Sequence, residues 1–160
     1  MSPVHRRRPL ALLIPALTLA VLAVAGCSKS AGPSQEQYVA VADDVCASTE
    51  KRLEELQEAH DADLYEAAAT GESGIYVDRP DRWVRAKVVP AYQGMSNGLK
   101  GIQPPDGDTA YLTDLYADLD EHIESIHLNP SAEEGKALRT PDTRLTDRFA
   151  SYGMEVCGTF

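Results

Sequence analysis

The stretch SQEQYVAVADDVCASTEKRLEELQEAH, residues 34–60, decides the fold. Within it Tyr38, Ala42, Val45, Thr49, Leu53, Leu56 and His60 recur at spacings of three and four. That period places them on one apolar stripe of an α-helix. Ser34, with Gln37 three residues on, forms a capping-box pattern, so the helix is expected to start at Gln35 and to run to about Ala69. Acidic residues, Lys51 and Arg52 fill the other faces, and residues 71–74 (GESG) end the pattern, with residues 75–79 read as loop.

Three further helices follow by the same reading. The second runs from Pro80 or Asp81 to Gly101 through Val84, Val88, Ala91, Met95, Leu99 and Ile102. Pro90 lies inside it and should kink or split it, because proline lacks a donor and its ring crowds the preceding turn. After Gln103-Pro104-Pro105-Asp106-Gly107, Asp108 is a candidate cap for a third helix with core positions Leu112, Leu115, Leu119, Ile123 and Ile126. This helix should stop before Asn129-Pro130. Thr140-Pro141-Asp142 then supplies an N-cap, an N1 proline and an early acid for a last helix burying Leu145, Phe149 and Tyr152 and ending near Gly153. No strand-like alternation and no internal repeat is present. The expectation is an all-α fold, an antiparallel four-helix bundle over residues 35–160.

Upstream of the first helix the chain changes character. His5 and Arg6 to Arg8 precede an almost continuously apolar run, residues 10–24, which is interrupted by Pro15 and is short of the roughly 20 residues needed to span a bilayer. Small residues follow at Ala25 and Gly26, so residues 1–26 read as an export signal, with an uncleaved anchor as the alternative. Val24-Ala25-Gly26-Cys27 resembles the bacterial lipobox. That resemblance implies cleavage between Gly26 and Cys27 and a lipid thioether on the Cys27 sulfur, with residues 27–34 as a lipidated tether. Membrane attachment is then through acyl chains, since two or more hold stably where one is marginal. All 25 acidic residues lie after Gly26, against twelve of the fifteen Lys and Arg, a formal charge of −13 for the mature chain. This balance excludes a nucleic-acid partner, which would need a positive surface.

Export leaves Cys46 and Cys157 as an even pair in an oxidising compartment, where a bridge would staple the first helix to the C-terminus; two separate buried thiols are the alternative. Neither belongs to a CxxC pair or has a neighbouring histidine, which argues against redox or metal work. The segments Ala42-Asp43-Asp44-Val45-Cys46 and Tyr152-Gly153-Met154-Glu155-Val156-Cys157-Gly158 resemble the two cysteine-bearing ends of small helical lipoproteins from high-GC Gram-positive bacteria. The resemblance implies an extracytoplasmic helical fold and no activity.

The chain is read as non-enzymatic, without cofactor. It has no HExxH motif and no phosphate-cradling glycine loop. His122 and His127, five apart, do not share a helix face, and Glu121 and Glu124 beside them read as solvated charges. His60 with Asp61 and Asp63 would be half of a cation site at most, and no metal site is expected. Asp114, Asp118 and Asp120 read as part of a wet face. Ala91, Gly94, Gly98 and Gly101 form a stripe of small residues, although each helical glycine costs about 1 kcal/mol against alanine. Either the helix packs closely on a neighbour there or frays, or the stripe floors a groove rimmed by Trp83, Tyr92 and Tyr76. The functional expectation is a lipid-anchored module of the cell envelope that binds an envelope protein. The alternative is a receptor for a small ligand or metal cation, using the acidic face or the glycine-lined groove.

Overall fold

The computed structural model describes residues 32–71, 80–130 and 142–159, and among these the chain is mostly helical with no strand. Residues 1–31, which hold the leader and Cys27, lie outside the described residues, as do Tyr76, Thr140 and Pro141.

Helix α1 spans Gln35–Thr70. Its start is the expected capping box: the Ser34 hydroxyl accepts from the Gln37 N–H at 3.2 Å, and the Gln37 side chain accepts from the Ser34 N–H at 3.0 Å. At the other end Gly71 adopts φ 78°, a left-handed cap that glycine takes without a Cβ penalty. The stripe Tyr38, Ala42, Cys46, Thr49 and Leu53 is buried.

Helix α2 is a continuous run of three pieces, Pro80–Trp83, a π-helical turn Val84–Val88, and Val89–Lys100. The proline effect is therefore absorbed rather than expressed as a break. Pro90 has no N–H, and its ring would crowd the carbonyl four residues back in a regular helix. The preceding turn widens so that the Val89 N–H reaches back five residues to the Val84 carbonyl, and helical dihedrals continue through Val88 and Val89. Val84, Val88, Val89, Tyr92, Met95 and Leu99 are buried.

Helix α3 spans Thr109–Leu128 and buries all five expected core positions, with Tyr116 added. Asp108 precedes it but does not cap it: its carboxylate instead accepts from the Tyr152 hydroxyl at 2.5 Å. Helix α4 spans Thr143–Tyr152, so its cap is Asp142, two residues beyond the Thr140 expected from the sequence. The Asp142 carboxylate accepts from the N–H groups of Arg144 and Leu145 at 2.9 and 3.4 Å, satisfying two of the donors that a helix start leaves open.

The core fills the space between α1, α2 and α3, with Leu145, Phe149 and Tyr152 of α4 packed on it. After Gly153 the chain turns back onto α1, and Met154 and Cys157 are fully buried. Cys157 opens a short 3-10 turn, Cys157–Thr159, and is bonded to Cys46 with 5.2 Å between the Cα atoms. Both cysteines are at most 1% exposed. The Asp43 carboxylate accepts from the N–H groups of Val156 and Cys157 at 3.1 and 3.3 Å, holding the same turn from one helical turn earlier. The bond closes a loop with a sequence separation of 111 residues. In the chain-entropy account such a loop stabilises by up to about 4–5 kcal/mol. Replacing both Cys46 and Cys157 by serine is expected to lower the unfolding free energy by about 2–5 kcal/mol, read from urea transitions.

Candidate functional site

Of the residues assigned to a groove, Trp83, Tyr92, Gly94 and Gly98 lie among the described residues, and Tyr76 does not. A Cβ built on Gly98 would stand 3.0 Å from Val45 Cγ1 of α1, so this glycine permits close approach of two helices. A Cβ on Gly94 would meet nothing within 4 Å. Tyr92 is buried in the core, and Trp83 stacks on His60 of α1 with ring centroids 4.4 Å apart. His60, which has Asp61 and Asp63 beside it in sequence, is thus used in joining α1 to α2. Among the described residues no cluster of three or more His, Cys, Asp or Glu side chains is placed to hold a metal ion.

Two hydrolase-like spacings are present, which corrects the reading of the sequence as free of the G-x-S-x-G and S-x-x-K motifs. Gly94-Met95-Ser96-Asn97-Gly98 has the G-x-S-x-G spacing, and Ser48-Thr49-Glu50-Lys51 has S-x-x-K. The first motif needs a serine on a sharp strand-to-helix turn, whereas Ser96 lies in the middle of α2, is 2% exposed and donates to Asp120 Oδ1 at 2.7 Å. Ser48 lies on the exposed side of α1 and donates to the Val45 carbonyl. Neither serine is presented as a nucleophile.

Three acidic residues of α3, Asp114, Asp118 and Asp120, are engaged rather than merely wet. Arg148 of α4 pairs with Asp118 and, at 2.8 Å, with Asp114. Its guanidinium lies 5.5 Å from the centre of the Tyr111 ring, and Tyr111 donates its hydroxyl to the Arg148 carbonyl. Burial works against the Arg148 charge, but the two carboxylates outweigh it and raise its pKa. Lys100 and Ser96 hold Asp120 between α2 and α3; partial burial opposes its ionisation, yet these hydrogen bonds keep its pKa below the ordinary value.

A chain of tyrosines continues inward from this surface. Tyr111 stacks on Tyr152 at 5.4 Å, Tyr152 meets Tyr38 edge-on at 6.0 Å, and the hydroxyls of Tyr38 and Tyr116 are hydrogen-bonded in the core. Burial pushes the pKa values of Tyr38, Tyr116 and Tyr152 up, and the Asp108 carboxylate adds to the effect at Tyr152.

Beside Tyr111 lies a recess of about 510 Å³ lined by Tyr111, Thr143, Arg144, Asp147, Arg148 and Ser151. It has the size of a small-molecule site but is shallow, and the charge of Arg148 on its wall is already met by Asp114 and Asp118. Sequence reasoning misses this arrangement because Asp114 and Asp118 find their partner, Arg148, 34 and 30 residues away.

Two outcomes follow from these contacts. Gly98→Leu is expected to destabilise the fold by about 1–3 kcal/mol through overpacking against Val45, measured by denaturant titration, with Gly94→Leu far milder. The buried phenols of Tyr38, Tyr116 and Tyr152 contribute stability that is present below their ordinary pKa near 10 and is lost as pH rises past it toward their higher folded values. Their share of the phenolate absorbance is therefore expected to appear together with loss of helical circular dichroism; absorbance from all seven tyrosines as phenolate while helix content is intact contradicts this.

Comparison of the chain with protein-family models, with curated proteins and with solved structures finds no match.

Proposed function

We propose that the chain is a lipid-anchored, non-enzymatic binding module of the cell envelope, carried on the outer face of the cytoplasmic membrane by acyl chains on Cys27. The observation that carries this reading is the Cys46–Cys157 bond, buried and joining the first helix to the C-terminal turn. Structural disulfides of this kind belong to oxidising compartments, and a leader ending in a lipobox-like Val24-Ala25-Gly26-Cys27 provides the route to one. Among the described residues no helix is long and apolar enough to cross a membrane. The resemblance to helical lipoproteins of high-GC Gram-positive bacteria supports the same address.

The finer architecture is read as an antiparallel four-helix bundle. Arg85, early in α2, donates to the His127 carbonyl at the end of α3, while Gln35, first in α1, donates to the Tyr152 carbonyl at the end of α4. Contacts between starts and ends are what alternating helix directions produce. A binding module is favoured over a cation or small-ligand receptor because Asp114, Asp118 and Asp120 are engaged by Arg148, Lys100 and Ser96, and Gly98 by Val45.

Cys27→Ser is expected to move the protein from the membrane to the soluble fraction without changing its melting temperature. Intact mass of the wild-type protein should show lipid on residue 27 and the loss of two hydrogens for one disulfide. A variant that remains membrane-bound defeats the anchor. A stoichiometric metal adduct in native mass spectra, removed by chelator, favours the receptor.

A further inference from the structure

We propose that the end of the domain built from residues 32–34, 103–108 and 153–155 is its membrane-facing surface, and that it meets the outer headgroup layer without inserting. This deepens the anchored reading above and rests on it.

The first observation is the length of chain between the lipid and the fold. By composition the tether runs over residues 28–34, but Gly32 is already seated on the turn between α2 and α3. A Cβ on it would stand 3.1 Å from Asp106 Oδ1 and 3.4 Å from the Pro104 carbonyl oxygen. Only residues 28–31 separate Cys27 from this contact. Five extended Cα–Cα steps reach about 18 Å at most, against about 54 Å for the length of α1. The lipid therefore constrains which end of the molecule lies near the bilayer.

The second observation is what that end contains. Asp108 accepts from Tyr152, and Gln35 donates to the Tyr152 carbonyl, so the start of α1, the α2–α3 turn and the end of α4 are tied together. Residues 32–38, 101–108 and 152–159 include no Lys or Arg, whereas Glu36, Asp106 and Glu155 are exposed. Among the described residues the exposed large apolar ones, Val41, Tyr65, Tyr111 and Leu128, all lie outside these segments. The described surface therefore offers no large exposed apolar side chain to the acyl region and is repelled by anionic headgroups, over a distance set by salt. The acyl chains pull the end inward and its charge pushes it outward. The distal half of α1 is thereby held away from the bilayer.

The test uses the full lipidated chain in vesicles with an acceptor dye on the outer headgroups. With Cys27 lipidated and Cys46–Cys157 bonded, a new cysteine is the single free thiol for a donor dye. Labels on Asp106→Cys and, independently, Gln103→Cys are expected to transfer energy several-fold more efficiently than a label on Glu66→Cys, which lies about 47 Å along α1 from Gln35. Adding anionic lipid at low salt should reduce transfer from the two proximal sites, and salt should restore it. Equal transfer from both ends, or greater transfer from Glu66→Cys, overturns the assignment. Failure of the chain to float with vesicles overturns the anchor and this surface together.

Discussion

The fold depends on holding residues 154–159 against its first helix. After α4 ends at Gly153 the chain has no further helix long enough to bury itself, yet Met154 and Cys157 are among its most buried residues. Two contacts on α1 hold them there. The covalent one is Cys46–Cys157, and the polar one is the Asp43 carboxylate on two backbone N–H groups of the same turn. The second satisfies donors that would otherwise be stranded as the turn is buried, at a cost of about 1–3 kcal/mol each. With this turn in place, Tyr152 is fixed beneath the start of α3, and α4 is fixed with it.

The choice of tyrosine over phenylalanine follows from that arrangement. The chain has seven tyrosines and two phenylalanines, and four of the tyrosines, Tyr38, Tyr92, Tyr116 and Tyr152, lie in the core. A buried phenol is tolerated only where its hydroxyl finds a partner. Tyr38 and Tyr116 supply partners to one another across α1 and α3, and Tyr152 uses Asp108. Among the described residues no buried side-chain polar atom lacks a partner. Each phenol thus specifies a particular neighbour, where phenylalanine would pack against any apolar surface.

How much of this was legible in the sequence divides along the range of the interaction. Leu112, Leu115, Leu119, Ile123 and Ile126 declare their face by spacing alone, and the Ser34–Gln37 box declares where α1 begins. Both signals are complete within a few residues. The cysteine pairing was also legible, because only two cysteines remain beyond the leader. Asp108 was read as a cap because aspartate before a helix usually is one; its use by Tyr152, 44 residues on, is invisible to a local window. Asp114 and Asp118 looked merely solvated for the same reason, their partner being Arg148. The glycine stripe was visible as a pattern, but Gly98 acquires its meaning only from Val45, which reaches it from another helix.

The stack of Trp83 on His60 gives the molecule a spectroscopic asymmetry. Trp83 is the single tryptophan, and His60 lies 14 positions beyond Cys46 on α1, about 21 Å along the axis. Tryptophan emission therefore reports the junction of α1 with the start of α2, whereas the signals of the buried Tyr38 and Tyr152 report the stapled end. The two chromophores watch regions of different covalent restraint. Coincident transitions from both would mean that the staple's influence spreads through the whole domain, and separated ones that α1 spans two cooperative units.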